Sequence, residues 1–341
     1  MFKEQLSRMI EGHTLSETEA EQVMDVIMEG KANDAQIASF LTILHMRGES
    51  VAELTGFVRS LRNHVVQLDH GGLPLIDTCG TGGDGHSTFN ISTASAILVS
   101  SLGVKVAKHG NKAVSSKSGS ADVLDQLGIP TQSSREEAVT TLKDKNMCFL
   151  FAPNYHVAMK HAVNARKAIG FRTVFNSLGP LANPAGSQAQ LIGVYRYEKA
   201  LKMAEALKRL GTDRALLVTG GEGIDECSIS TYTDFVELRN GNITTYRLTP
   251  EDVGLSRGRA QDLVVNNSKE SADLIAQIFN NEGNEASTGI VLYNAGAALY
   301  LAGACATIKD GVRMASEAII NRTGQKHLNR LSAKKELNVH A

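Results

Sequence analysis

Residues 77–90 read DTCGTGGDGHSTFN. A short strand at 75–79 leads into the glycines of this stretch and an apolar segment of helical length follows at 91–102, so the order is strand, glycine-rich turn, helix. Gly80, Gly82, Gly83 and Gly85 allow a ligand close to the backbone, and the free N–H groups of a helix start attract anions. Asn90, Ser92 and Thr93 add side-chain donors at that start. The stretch reads as a phosphate cradle; the alternative is a tight strand–helix turn with no ligand. Gly80, Gly82 and Gly85 satisfy GxGxxG, but the next strand ends in Lys108-His109 and not in the acidic residue that would hold a ribose hydroxyl. His86 stands where a P-loop requires lysine. Asp84 would be repelled by phosphates unless a cation lies nearby, which points to magnesium.

Outward from this stretch, strands and helices alternate. Residues 104–108 read as a strand, 121–127 as a helix ended by Gly128, and Ser134 with Glu137 opens another helix before the apolar strand 147–152. A helix at 156–169, a strand-like segment at 172–176, a helix at 198–210 and a strand at 214–219 continue the pattern. The fold class is therefore α/β with a central, mainly parallel sheet. Asn240-Gly241 marks a hairpin that adds antiparallel strands, and helices resume from about 269 to 331. Residues 286–308 carry no charge; with Asn294, Gly296 and Gly303 among them they read as a buried helix and not as a membrane span.

The first seventy residues read as helices. Ser16 with Glu19 and Ser50 with Glu53 form capping boxes, Asp34 caps the helix between them, and Ile37, Phe40, Leu41 and Leu44 line one face. The linker DHGGLP at 69–74 divides a helical domain, 1–73, from an α/β domain, 74–341; parts of 154–190 are expected to join the former. The 35 basic and 36 acidic residues give a formal charge of −1, which argues against a broad nucleic-acid surface. Four cysteines without a CxxC pair fit reduced thiols in a cytoplasmic enzyme, and the first residues, MFKEQLSRMIEGH, lack the apolar run of a secretory signal.

Three further segments carry chemistry. Residues 108–120, KHGNKAVSSKSGS, follow the second strand and bring Lys108, Lys112 and Lys117 together with four serines. A solvated loop would suit the same residues, but consecutive parallel strands lie close, so this loop and the first should face one crevice. Two cradles suit a ligand with two separated phosphate groups. Residues 220–227, GGEGIDEC, follow the apolar strand 214–219 and place Asp225 and Glu226 at a strand's carboxyl end, where two carboxylates can hold magnesium. Arg166 lies on an amphipathic helix before the rigid turn NSLGPLAN at 176–183, and an arginine facing a cleft can pair a carboxylate through two parallel hydrogen bonds. A solvated side chain is the other reading of a lone helical arginine. His86 and His109 are either general bases or hydrogen-bonded loop residues.

The segments D-x-x-G-T-G-G-D, KHGNKAVSSKSGSADVLDQLG and NSLGPLANPA resemble the signatures of anthranilate phosphoribosyltransferases. The resemblance continues through the Asp-Glu pair and LYNAGAALYLAG at 292–303, and covers nearly the whole chain. The KHGN segment is its specific part; pyrimidine nucleoside phosphorylases, which have the same fold, share the glycine loop. The resemblance implies a small helical domain beside a larger α/β domain, a homodimer formed through the helical domain, and a role in tryptophan biosynthesis. It implies that Gly80, Gly83, Asp84, Thr88, Asn90, Ile91, Ser92 and Thr93 bind phosphoribosyl pyrophosphate. Lys108, His109, Gly110, Asn111, Lys112, Ala113, Val114, Ser115, Ser116 and Ser120 would complete that site. Ser92, Asp225 and Glu226 would position Mg2+; Gly80, Asn111 and Arg166 would contact anthranilate, with His109 and Pro180 lining its channel. The chain departs from the family pattern in three places: Val157 stands where a proline is common, Asn164-Ala165 where Pro-Val is common, both expected to reshape the anthranilate channel, and no glycine follows the acidic pair near Ser230 where one is usual. None of them removes a phosphate or magnesium ligand. A nucleoside phosphorylase is the rival enzyme, opposed by the KHGN segment. A nucleic-acid-binding relative without the reaction is the rival of another class, opposed by the balanced charge and the intact acidic pair. No nucleic-acid or membrane partner is expected.

Overall fold

The computed structural model describes residues 1–113 and 117–332. Four helices come first: α1 (Phe2–Ile10), α2 (Glu17–Met28), α3 (Asp34–Arg47) and α4 (Val51–His64). The capping boxes at Ser16 and Ser50 are formed as expected. The cap of α3 is not Asp34 but Asn33, whose extended backbone aims its side chain at the N–H of Gln36 while Gln36 reaches back; Asp34 is already helical.

The sheet contains β1 (Ile76–Gly80), β2 (Val106–Gly110), β3 (Met147–Phe151), β4 (Ala189–Gly193), β5 (Arg214–Gly220), β6 (Thr233–Arg239) and β7 (Asn242–Leu248). Its order is β3-β2-β1-β4-β5-β6-β7. The first five of these pair in parallel and the last two antiparallel. The β6–β7 turn has positive φ at both Asn240 (50°) and Gly241 (77°), as a tight hairpin needs.

The helices that follow β1 are α5 (Ile91–Ser101), α6 (Ser120–Gln126), α7 (Arg135–Lys145), α8 (Ala152–Tyr155), α9 (Lys160–Ile169), α10 (Phe175–Leu178), α11 (Tyr197–Arg209), α12 (Ser268–Phe279), α13 (Glu285–Ala302), α14 (Ile308–Ile320) and α15 (Thr323–Leu331). One expectation fails here. Residues 172–176 are not a strand: the chain turns into α10, and the missing strand is β4, AQLIG, buried at every position between β1 and β5. Its alanine, glutamine and glycine give a weak strand signal, and pairing on both sides supplies what propensity does not. The helix expected at 156–169 is also interrupted. His156 takes a non-helical backbone, a single 3-10 turn spans Val157–Met159, and α9 begins only after it.

Both faces of the sheet are covered. One core gathers residues of α5, α12, α13, α14 and α15; the other joins α1 to α4 with α9, α10 and α11. The uncharged segment is the buried α13, whose Gly296 lets α14 approach at Gly311 and Val312. Among the described residues no helix is long and apolar enough to cross a membrane. The strand order reverses direction between β1 and β4, so the carboxyl ends of β1, β2, β4 and β5 open onto a switch-point crevice, the usual ligand position in such sheets.

Candidate active site

The glycine turn leaves β1 at that crevice. Gly82, Gly83 and Gly85 have φ of 66°, 78° and 84°, a left-handed region that a side chain would strain. The turn is tied down at both ends: Thr81 N–H donates to the Gly193 carbonyl at 2.9 Å, and Phe89 N–H donates to Leu263 at 2.9 Å. Asn90 then caps no N–H of α5. Its carbonyl Oδ1 accepts from Ser118 Oγ at 2.7 Å and Ser271 Oγ at 2.9 Å, which binds the first loop to the second. The α5 N–H groups at its start are thus left to other partners, one of which is Glu226.

The acidic pair arrives from β5 and lies across the same strand ends. Asp225 Oδ2 accepts from Gly82 N–H at 2.7 Å, and Glu226 Oε1 accepts from Ser92 N–H at 3.1 Å. A Cβ on Gly80 or Gly193 would collide with Asp225, so those two strand-end glycines make room for the carboxylate loop. Burial first, and the Asp84 charge second, push the Asp225 carboxyl above its ordinary range. Burial and the Asp225 charge push Glu226 well up, with Lys108 opposing. Lys108 is buried, and its ammonium donates to the Thr78 carbonyl at 2.6 Å and to Ser92 Oγ at 3.1 Å. Asp84, Asp225, Glu226 and Ser92 therefore share one end of the crevice. Among the described residues no three His, Cys, Asp or Glu side chains form a closed metal cage. Two crowded carboxylates with open positions beside them suit magnesium, which takes few protein ligands and keeps waters or phosphate oxygens.

The second loop leaves β2 beside the first. Asn111 turns inward on its own loop: its carbonyl accepts from Ala121 N–H at 3.2 Å and Ser120 Oγ at 3.3 Å, and its Oδ1 accepts from Lys112 N–H at 2.8 Å. Asp122, which sequence reading passed over, gathers Ala113 N–H and Gly119 N–H at 2.8 and 3.1 Å and so closes the loop on itself. A Cβ on Gly110 would meet Ser120 Oγ and the Phe149 ring. Val114, Ser115 and Ser116 lie outside the described residues.

Other residues fall into place by contact. Glu222 accepts hydroxyl hydrogen bonds from Ser228, Ser230 and Thr231, bracing the loop that carries the acidic pair; Ser230, near which the family pattern has a glycine, is one of the three. His86 Nε2 lies 3.2 Å from the Glu222 carbonyl, which makes it a loop fastener. His109 and His156 rings are 4.9 Å apart, and neither Nε2 has a partner. Burial first, then the His156 and Lys108 charges, push His109 down to about 3, and burial pushes His156 down to about 4, so both are neutral at neutral pH. The Gly179 and Ala182 carbonyls face these rings, Gln190 Nε2 donates to the Pro180 carbonyl at 2.8 Å, and Arg62 Nε donates to Leu181 at 2.9 Å. The Gly-Pro turn is thereby fixed by side chains from four directions.

Arg166 sits on α9 with its guanidinium carbon 5.2 Å from the Phe175 ring centroid. Burial lowers its pKa, and no carboxylate among the described residues pairs with it. Among the described residues no hydrogen bond joins Arg166 to either loop. The link is made by Arg172, six residues on, whose Nη1 donates to the carbonyls of Gly82 and Gly83. Sequence reading missed it because an arginine after a helix-ending glycine carries no local signal.

Comparison with known proteins agrees with this layout. Residues 72–325 match the α/β domain of a glycosyl transferase family, and residues 3–65 match that family's helical bundle domain. The chain is 57% identical over 331 residues to the anthranilate phosphoribosyltransferase of Halalkalibacterium halodurans, covering 97% of each chain. It is 55% identical over 334 residues to that of a Geobacillus species, covering 98% of each. The anthranilate phosphoribosyltransferase structure from Thermus thermophilus superposes with a TM-score of 0.89 at 38% identity, over 96% of this chain and 98% of that one. The Saccharomyces cerevisiae enzyme in complex with PRPP and Mg does so with a TM-score of 0.84 at 28% identity, over 93% of each. Alike in sequence along nearly its full length and alike in fold, the chain belongs to the anthranilate phosphoribosyltransferase family.

Proposed function

We propose that this chain transfers the phosphoribosyl group of phosphoribosyl pyrophosphate to the amine of anthranilate, with release of pyrophosphate, as a step of tryptophan biosynthesis. The observation that carries this reading is the joining of three loops at the switch point: Asp225 to Gly82, Glu226 to Ser92, and Ser118 to Asn90. The donor's diphosphate takes the backbone N–H groups of Gly83 and Asp84 and lies against the side chains at the start of α5 from Asn90 to Thr93, whose own N–H groups are already bonded, with Gly80 and Thr88 at the edges of the turn. Gly110, Asn111, Lys112, Ala113 and Ser120 hold the other end of the donor. Lys108, already bonded to Thr78 and Ser92, acts by its charge beside Glu226.

Asp225, Glu226 and Ser92 are the residues that would hold Mg2+, and a cation there offsets the burial and, after it, the mutual repulsion that push the two carboxyls up. When bound, Mg2+ supplies positive charge to the departing pyrophosphate. Arg166, a guanidinium over an aromatic ring with no carboxylate partner among the described residues, recognises the anthranilate carboxylate, with Gly80 and Asn111 beside it. His109, held neutral, lines the channel with Pro180 and leaves the acceptor amine unprotonated by any neighbour. The chain's contribution to rate is then alignment of amine and anomeric carbon, together with fixed donors aimed at the leaving group. The helical segment pairs with a second copy: Ile10 and Met46 on it are 72% and 83% exposed. A cytoplasmic location suits this chemistry.

The test follows loss of anthranilate fluorescence on addition of phosphoribosyl pyrophosphate across a magnesium titration. Wild-type protein consumes anthranilate in a magnesium-dependent way. Asp225→Asn combined with Glu226→Gln lowers turnover sharply and flattens the magnesium response. A double variant indistinguishable from wild type overturns the metal assignment, and an inert wild-type protein overturns the activity.

A further inference from the structure

Arg172 is given no substrate in the reading above. It follows α9 and the left-handed Gly170, and its side chain crosses to the glycine turn, where it donates to the carbonyls of Gly82 and Gly83. Its guanidinium carbon lies 5.8 Å from the Tyr195 ring centroid. No acidic side chain among the described residues neutralises it. A Cβ on Gly83 would fall on this guanidinium, so glycine at 83 and arginine at 172 fit each other. On its other side the segment is anchored to the helical part of the molecule. The Arg172 carbonyl is 3.0 Å from His45 Nδ1 on α3, and the neighbouring Phe171 ring lies 4.4 Å from the His45 ring.

The consequence follows from peptide geometry. In a trans peptide the C=O of one residue and the N–H of the next point in opposite directions. Fastening the Gly82 and Gly83 carbonyls to Arg172 therefore turns the N–H groups of Gly83 and Asp84 the other way. Among the described residues neither of those two N–H groups has a partner, whereas the Gly82 N–H is taken by Asp225. Two adjacent free N–H groups held in a glycine turn form an anion-binding nest. We propose that Arg172 is a positioning residue that sets this nest for the donor's diphosphate and ties it to the segment that carries Arg166. The inference rests on the reading of the glycine turn as the donor site. It separates two arginines on one stretch of chain: Arg166 serves the acceptor, Arg172 the donor loop.

The experiment uses the full chain with Arg172→Ala, Arg172→Gln and Arg172→Lys. Steady-state kinetics vary each substrate in turn, calorimetry titrates magnesium pyrophosphate as the donor-side probe, and thermal melting reports the fold. Arg172→Ala raises the KM for phosphoribosyl pyrophosphate by about tenfold or more, the scale of a charge-assisted hydrogen bond. The KM for anthranilate changes by less than about twofold, because only one site is disturbed. Magnesium pyrophosphate binding weakens in parallel, and Arg172→Lys recovers more of the donor KM than Arg172→Gln. A wild-type donor KM in Arg172→Ala, or equal rises in both KM values with a lower melting temperature, overturns the inference. If the alanine variant does not fold, Arg172→Lys and Arg172→Gln decide it: donor KM values at the wild-type level overturn it, graded donor-only rises support it. Wild-type protein that binds neither phosphoribosyl pyrophosphate nor magnesium pyrophosphate removes the donor-site reading, and this inference with it.

Discussion

Arg166 illustrates how a single side chain can be set for one partner. Burial lowers the pKa of its guanidinium, and Phe175 supplies an aromatic face in place of a counter-ion. An anion arriving there gains a charge-assisted fork without first displacing a carboxylate. Arg166→Ala is expected to raise the KM for anthranilate by about ten- to a hundredfold, the equivalent of roughly 1.5–3 kcal/mol. The KM for phosphoribosyl pyrophosphate should stay near wild type, and Arg166→Lys should recover part of the loss because an ammonium lacks the planar fork. Kinetics with each substrate varied in turn check this; equal impairment toward both, or toward neither, takes Arg166 out of the acceptor site. Asn164 and Ala165, where the family pattern has other residues, do not turn Arg166 to solvent: Ala165 is buried, and Arg166 still reaches Phe175.

At the scale of elements, the site depends on one helix that takes no part in it. The buried α13 carries Asn294, whose Oδ1 accepts from Cys227 N–H at 2.9 Å and whose Nδ2 donates to the Cys227 carbonyl at 3.2 Å. This two-way bond pins the chain at the residue after Glu226. Asn294→Ala strands both backbone groups in the core, at a cost of about 1–3 kcal/mol for each group left unsatisfied. The expected result is a lower melting temperature together with a weaker magnesium response, since the acidic pair loses its anchor. Denaturant unfolding and the magnesium titration check it, and a variant as stable as wild type would show that Asn294 is not the anchor. The same helix was legible as a buried apolar segment, but its polar residue found its meaning only once α13 was laid under β5.

At the scale of the whole molecule, the C-terminal helix α15 closes the core over α5 through His327. Its Nε2 lies 2.9 Å from Ser100 Oγ, and the residue is 5% exposed. Burial first, then the Arg330 and Lys145 charges, push it from 6.5 down to about 4. The unfolded chain therefore takes up a proton that the folded chain refuses. The stability tied to neutral His327 is complete above the unfolded value and is lost as pH falls through the folded value. Denaturant unfolding of wild type and His327→Gln from neutral pH down to about 4 checks this. Wild-type stability relative to the variant should decline over that window, and a constant difference between the two would overturn it.

The sequence by itself determined the fold class, the helical start, the hairpin and the identity of the chemical segments. These are local matters: capping side chains such as Ser16 and Ser50, glycines at strand ends, and an Asn-Gly turn leave their mark within a few residues. The Gly80 turn, the KHGN loop and the Asp225-Glu226 pair could each be read in isolation for the same reason. What only the tertiary structure decided is their convergence. β4 has a weak local signature and becomes a strand because β1 and β5 pair with it on both sides. Asp225 reaches Gly82 across 143 residues of chain, Arg172 reaches it across 90, and Asn294 reaches Cys227 across 67. Such contacts leave no periodicity or spacing in the sequence, because their partners are chosen by how the sheet orders its strands and which loops that order brings to one crevice.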